Sequence, residues 1–377
     1  MRKILHIANW YPNKWDNIEG IFVQEQYKVF SEVTEGHLIN VQVREGKKLF
    51  EYLHIDYSES EEGYYVLTKI KSQKIIEILT TFLLFWALYK SEYKKYDLLH
   101  FHIAYPLLTY YSWWKRIIKK PLLISEHWSA YHFNFYMPLS TKKLDRMKNI
   151  FKQNIPLITV SKALLLDIQI FSKTKEFPSF IIPNVIDQKY YYYRENKLKN
   201  TVPVFFTVNN WRAIKNPFPM LEGFSKLASR GVDFQLMIGG YGELVEKMKK
   251  FVKDKGFDSK VSFLGKMDKK QIADELALSN AYLFSSEYET FSVVCAQALC
   301  CGVPLIGPKI PAILEYADSD SFLTLEENNS EAWEKKLNEF IENIDSYNRK
   351  TIAKKADDYL SNDAIKKSYR DIINEWF

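Results

Sequence analysis

Between positions 288 and 307 the chain reads YETFSVVCAQALCCGVPLIG. A carboxylate, Glu289, precedes a helix-like run, and an amide, Gln297, falls about one turn inside it. The spacing predicts a helix starting near Ser292 or Val293. Gly302 is placed to terminate it, and Pro304 prevents its continuation. The segment Glu289-Thr290-Phe291-Ser292 then presents backbone N–H groups that lack an intrahelical acceptor. Such an end stabilises anions, phosphate above all. An acid and an amide bracketing a phosphate site suit a ligand with hydroxyls at both ends, a sugar on one side and a ribose on the other.

The elements that must position this stretch are short apolar strands alternating with longer helical patterns. KILHIANW reads as a strand and GIFVQEQYKVFSEV as a helix. YDLLHFHIAY and KPLLISEHW read as strands, separated by a helical LLTYYSWWKRIIKK. IPLITVS is a further strand, with Ser161 placed to cap the helix KALLLDIQIF. The pattern pauses at IIPNVIDQKYYYYRENKLKNTVP, whose Pro, Asn and polar run suggest a linker. A second alternation follows: VFFTVNNW, the helix PFPMLEGFSKLASRG, DFQLMIGGYG with its glycine turn, KVSFLGKM, the helix KKQIADELALSN, and AYLFSS. From Glu326 onward the acidic chain reads as solvated helices. Alternation of this kind implies βαβ units, mainly parallel sheets and an α/β class. The expected organisation is a first domain over 1–185, a linker over 186–200, and a second domain over 201–377 whose last helix crosses back to the first.

A length of 377 residues fits two domains, and 47% hydrophobic residues suffice for two cores. The net charge of +6 is uneven, with 25 Lys and Arg against 18 Asp and Glu in residues 1–185 and near balance in the rest. A basic first half suits an anionic partner. The three cysteines, Cys295, Cys300 and Cys301, sit in one stretch and form no disulfide framework, which suits a reducing cytoplasm. MRKILHIANWYP reads as a strand and turn rather than a signal peptide. IIEILTTFLLFWALY (75–89) contains Glu77 and falls short of the roughly 20 residues a bilayer needs, so a buried helix is expected.

The pattern E-T-F-S-x4-Q-A-L-x-C-G-V-P-L-I is similar to the E-x7-E signature of retaining GT-B glycosyltransferases of family four, of the kind that build bacterial surface polysaccharides. The resemblance extends over nearly the whole chain. It implies two Rossmann-like domains facing each other across a cleft. Glu289 then takes the place of the acid that contacts the transferred sugar. Gln297 stands where the family has the glutamate that holds the ribose, a departure. Thr290, Phe291, Ser292 and Val293 fall in the sugar- and phosphate-binding turn between them. IANWYPNKWDNIEG resembles the family's first strand and glycine loop, with Gly20 near phosphate. ISEHWSAY resembles the segment carrying a histidine beside the donor sugar, here His127. VNNWRAIKNP resembles the segment that grips the diphosphate, with Arg212 and Lys215 as cations and Asn210 where many members have another. IGGYGE places Gly240 in the turn beneath the nucleotide, and VSFLGKM places Gly265 at the strand end that meets the base.

The function implied is transfer of a sugar from a UDP- or GDP-linked donor to a glycan or lipid-linked acceptor, without cofactor or metal, in the cytoplasm or at the inner face of its membrane. Alternatives are a GT-B nucleotide-sugar hydrolase or epimerase, and an inactive sugar-nucleotide-binding subunit, which Gln297 keeps open. Other signals carry less. Asp318-Ser319-Asp320 mimics a metal-binding DxD but lies in a loop after the donor helix. His100 and His102 share a strand face without an evident third ligand. Glu126 is either a partner of His127 or a surface acid. YYSWWKRIIKK (110–120) suits contact with an anionic membrane, and equally a helix packing its aromatics on the sheet. Nucleic acid is not expected, since no basic recognition motif accompanies the charge.

Overall fold

The computed structural model describes residues 1–133, 140–195 and 202–377. These fall into two units, Met1–Val185 with Asn362–Phe377, and Ile186–Ser361. The first unit holds β1 (Lys3–Ala8), β2 (Glu35–Glu45), β3 (Glu51–Ser58), β4 (Glu61–Thr68), β5 (Leu98–His102), β6 (Leu122–Glu126), β7 (Leu157–Thr159) and β8 (Ser179–Ile181). They form one sheet in the order β3-β4-β2-β1-β5-β6-β7-β8, parallel throughout except for the β3–β4 pair. β1, β5 and β6 are buried on both faces, which explains their near-continuous apolar sequences. The helices here are α1 (Ile21–Ser31), α2 (Gln73–Lys90), α3 (Tyr111–Trp114), α4 (Thr141–Ile150) and α5 (Lys162–Ser172). Ser161 Oγ accepts from Leu164 N at 3.0 Å and caps α5, as its sequence predicts.

The second unit is parallel throughout. Its strands are β9 (Val204–Asn210), β10 (Gln235–Tyr241), β11 (Val261–Gly265), β12 (Ala281–Leu283), β13 (Leu305–Pro308) and β14 (Phe322–Leu325), in the order β11-β10-β9-β12-β13-β14. Helices α6 (Phe218–Ser229), α7 (Val245–Asp254), α8 (Lys269–Leu278), α9 (Val293–Cys300), α10 (Pro311–Leu314), α11 (Ser330–Glu342) and α12 (Arg349–Leu360) complete it. Residues 186–195 belong to this unit, where Tyr191 is buried and Arg194 Nη1 lies 2.7 Å from Asp274 Oδ1. Residues 196–200 of the expected linker lie outside the described residues. The chain's last helix, α13 (Asn362–Trp376), packs in the first unit.

Three expectations are corrected. The helix read over LLTYYSWWKRIIKK shrinks to the four residues of α3. Pro121 disfavours helical geometry at Lys120, and Trp114 anchors the turn by its own burial. The acidic C-terminal region is not merely solvated. α11 buries Trp333, Leu337 and Phe340 against the second core, and α13 buries Ile365, Tyr369, Ile372 and Ile373 in the first. Its charges occupy only the outer faces, so net acidity hid two apolar stripes. The run at 75–89 does form a helix, but one that is only half buried. Leu83, Leu84, Ala87 and Leu88 face inward, while Ile78, Phe82 and Trp86 remain exposed.

His6 on β1 joins His100 and His102 on β5, because the register pairs His6 with His100 and period two puts His102 on the same face. His6 Nδ1 and His102 Nε2 are 3.1 Å apart. His100 bonds Tyr369 Oη at 3.0 Å and Ser125 Oγ at 2.8 Å. Burial drives all three rings toward the neutral form, His6 to about 3 and the other two well below the usual range.

Candidate functional site

In the second unit the chain runs outward from β9 through β10 to β11, then returns to the other side of β9 at β12. The strand order therefore reverses between β9 and β12. A crevice beyond the carboxyl ends of strands at such a point is where open α/β sheets bind ligands. Lys215 follows the end of β9 and Glu289 follows the end of β12. Lys215 Nζ lies 2.6 Å from Glu289 Oε1, and Ser286 Oγ donates to the same oxygen at 2.7 Å. Both charged side chains are mostly buried but remain open to solvent.

The two loops are stitched together. Ser285 Oγ donates to the Lys215 carbonyl at 2.7 Å, Glu287 N to the Ile214 carbonyl at 3.0 Å, and Asn216 Nδ2 to Glu287 Oε1 at 3.1 Å. Asn328 Nδ2 donates to the Ser285 carbonyl at 2.9 Å and is itself held by the indole N–H of the core residue Trp333, at 2.8 Å. The pair is thus fixed to the core rather than carried on a free loop.

α9 opens at Val293. Ser292 precedes it at φ 63°, in the left-handed region, where a non-glycine residue costs about 1 kcal/mol or more. Its hydroxyl bonds Cys295 Sγ at 3.2 Å and does not cap the helix. The first N–H groups of α9 therefore receive no cap from Ser292. Tyr316 Oη donates to the carbonyls of Phe291 at 2.6 Å and Ser292 at 3.1 Å, and its ring packs 5.0 Å from that of Phe291. This partly buried hydroxyl holds the strained turn in place. Gln297 lies on the partly open face of α9 with Val293 and Val294, and its side chain makes no hydrogen bond among the described residues. Thr290 is half-buried in the same turn.

Arg212 is exposed, and no ion pair or hydrogen bond of its side chain occurs among the described residues. The structure therefore brings Lys215, but not Arg212, onto Glu289. Asn210 ends β9 opposite Tyr241. Gly240 has φ 104°, and a Cβ there would collide with the Asn209 carbonyl, so the close approach of β9 itself requires glycine. Gly265 ends β11 at φ 70°. Asp318 and Asp320 both accept from Lys355 Nζ, at 2.7 and 2.8 Å, so this acidic pair is already bridged by a lysine. Ser286, Asn328 and Tyr316 had no sequence signal. Each is an ordinary polar residue whose role exists only through a partner distant in the chain.

In the first unit His127 follows β6. Its Nδ1 lies 3.0 Å from Asn184 Oδ1 and its ring 4.7 Å from Phe22. Burial lowers its pKa to about 4, against the opposing bond from Asn184, so the ring is neutral near pH 7. Glu126 is not a surface acid. It is fully buried, accepts from Ala104 N at 2.7 Å and Tyr131 Oη at 2.6 Å, and is pushed up to about 7 by desolvation. Gly20 precedes α1 at φ 62°, where a Cβ would strike the Trp10 carbonyl.

Residues 192–373, just under half the chain, match the family model for Glycosyl transferases group 1. Sucrose-phosphate synthase from Thermosynechococcus elongatus is similar over 99% of both chains, at a TM-score of 0.77 and 15% identity. So is Anabaena Alr3699/HepE in complex with UDP and glucose, over 100% of both chains, at 0.71 and 13%. The fold is GT-B. Among curated proteins, the N-acetyl-alpha-D-glucosaminyl L-malate synthase of Bacillus anthracis is 30% identical over 146 residues, 36% of this chain and 38% of that relative. The chain thus aligns with well under two thirds of that relative's length. The matched residues include the Lys215–Glu289 pair and run from the second unit into α13.

Proposed function

We propose that the protein is a metal-independent retaining glycosyltransferase. It moves a hexosyl group from a UDP- or GDP-linked donor to a hydroxyl of a glycan or lipid-linked acceptor, in the synthesis of a bacterial surface polysaccharide such as lipopolysaccharide or capsule. The observation that carries this reading is the Lys215–Glu289 pair at the strand-order reversal, beside the uncapped start of α9. The Anabaena neighbour was crystallised with UDP and glucose, and the Bacillus anthracis relative is named for an N-acetylglucosaminyl product. Both support a nucleotide-linked hexose as donor.

Cleavage of the bond between the anomeric carbon and the donor phosphate leaves charge on the diphosphate. The opening N–H groups of α9 and the Lys215 ammonium are oriented before that charge develops, the arrangement that lowers such barriers most. An arriving diphosphate competes with Glu289 for the lysine protons, and Glu289 then has acceptor capacity for the hydroxyls of the sugar. Arg212, free of internal pairing among the described residues, supplies a second cation. Gln297 meets the ribose. For retention, the acceptor hydroxyl attacks from the face the diphosphate leaves, and its proton passes to the departing phosphate oxygen. A neutral His127 suits the sugar-contacting role that the family resemblance gives it.

The test is incubation with UDP- and GDP-sugars in EDTA, with and without a panel of acceptors, and the product anomer read by NMR. Nucleotide release only with acceptor, unaffected by EDTA and with the donor's anomeric configuration kept, is the expected result. Release without acceptor indicates a hydrolase. Donor binding without release for any acceptor indicates an inactive subunit. Loss in EDTA restored by Mn²⁺ would end the metal-independent reading.

A further inference from the structure

α2 is an 18-residue helix with an inverted surface. Its exposed face carries Ile75, Ile78, Phe82, Trp86 and Tyr89, spaced by three or four residues and therefore aligned in one stripe. Phe82 is 62% exposed and Tyr89 71%, values typical of charged residues rather than of large apolar ones. Trp113, 58% exposed, extends the stripe sideways through an edge-on contact with Phe85 at 5.8 Å. A groove of about 180 Å³ between Phe82 and Trp113 makes their apolar surfaces continuous. A stripe of this size, left open to water, marks an interaction site.

The charges that α2 itself presents beside the stripe have one sign. Lys74 opens the helix, Lys90 closes it with its ammonium 4.9 Å above the Trp86 ring, and Arg116 is exposed beyond Trp113. Glu77, the only acid of α2, points inward, where it pairs with Lys143 and accepts from Tyr105 Oη at 2.9 Å. No carboxylate of α2 reaches its exposed face. No helix among the described residues is long and apolar enough to cross a membrane. At about 1.5 Å per residue, α2 suits lying in the plane of an interface.

We propose that this face of α2 docks the protein on an anionic lipid surface. The aromatic and aliphatic stripe enters the boundary between headgroups and acyl chains, and the flanking cations meet the lipid phosphates. A second copy of the chain is disfavoured as the occupant, because a two-fold pairing along α2 would set Lys74 against Lys90 of the other copy. The motif read at 110–120 contributes only its exposed members, Trp113 and Arg116, since Trp114 is buried. The inference does not depend on the proposed reaction.

Flotation of the full chain with phosphatidylglycerol–phosphatidylcholine vesicles, and with phosphatidylcholine alone, tests it. The protein should float with the anionic vesicles at low salt and progressively less as salt rises. Phe82→Ser with Trp86→Ser should lower partitioning by more than about tenfold. Lys74→Glu with Lys90→Glu should also lower it roughly tenfold or more and weaken the salt dependence. All four side chains are exposed, and circular dichroism verifies that the variants fold. No flotation, equal flotation with phosphatidylcholine alone, or flotation unchanged in the aromatic variant would overturn the proposal. So would a light-scattering dimer that the aromatic variant dissociates without any flotation.

Discussion

Both units wind a mainly parallel sheet outward from a central strand and back, yet they treat ionisable groups at the sheet in opposite ways. In the second, Lys215 and Glu289 are charged, paired at 2.6 Å and open to solvent, so an incoming anion can exchange for one partner. In the first, His6, His100, His102 and His127 are buried and neutral, and Glu126 is driven toward its protonated form. A half-open pair gains from partner exchange at little desolvation cost, whereas a sealed group resists any change of charge. The second unit therefore holds a charge pair that a ligand could exchange into, and the first carries a latent sensitivity to acid.

Acidification should expose this contrast most strongly. A histidine whose folded pKa is depressed contributes stability that is complete above its unfolded value of 6.5 and falls as pH drops below it. Each such group removes about 2 kcal/mol between pH 6.5 and about 5. Glu126 acts in the opposite sense, since its raised pKa of about 7 favours the folded state as pH falls toward 4.5, and it offsets about one histidine. Calorimetry from pH 7 to about 5 should show the first unit's transition moving down while the second's barely moves. Parallel movement of both would remove the distinction.

The next effect in size lies at the pair. Lys215→Ala should lower kcat by about 10²–10³, the cost of removing one preorganised donor at developing charge, with Tm nearly unchanged. Arg212→Ala should lose less, because its side chain is not fixed at the site. Near wild-type turnover of Lys215→Ala at saturating donor would show that the pair is structural.

Tyr316→Phe removes one hydroxyl that serves two carbonyls of the strained turn. Donor KM should rise about tenfold with kcat little changed, in line with about 1–1.5 kcal/mol for the lost bonds. A drop in Tm with KM unaltered would make Tyr316 a packing residue only. The smallest effect is at Gln297. Its replacement by Ala should raise donor KM a few-fold, and by Glu should lower KM or leave it similar, because a charged acceptor bonds ribose hydroxyls more strongly while repelling the diphosphate. A donor-bound structure with Gln297 beyond about 4 Å from both ribose hydroxyls would remove it from the site.

Periodicity alone determined much of this molecule. Apolar strands alternating with longer amphipathic runs imply parallel sheets, Ser161 announced its cap, and Gly302 with Pro304 bounded α9, because backbone constraints and side-chain spacing are local properties of a chain. β2, β3 and β4 gave no comparable signal, since their half-exposed residues mix charge and aromatics. Only the tertiary structure decided which residues meet. Lys215 and Glu289 are 74 positions apart, and Tyr316 reaches the turn before α9 from 24 and 25 positions away. His6 finds His102 across 96 positions through the pairing of β1 with β5. The apolar run of α2 shows the limit most clearly. Its composition fitted burial, but a helix has two faces, and which one stays in water depends on what the rest of the chain brings against it.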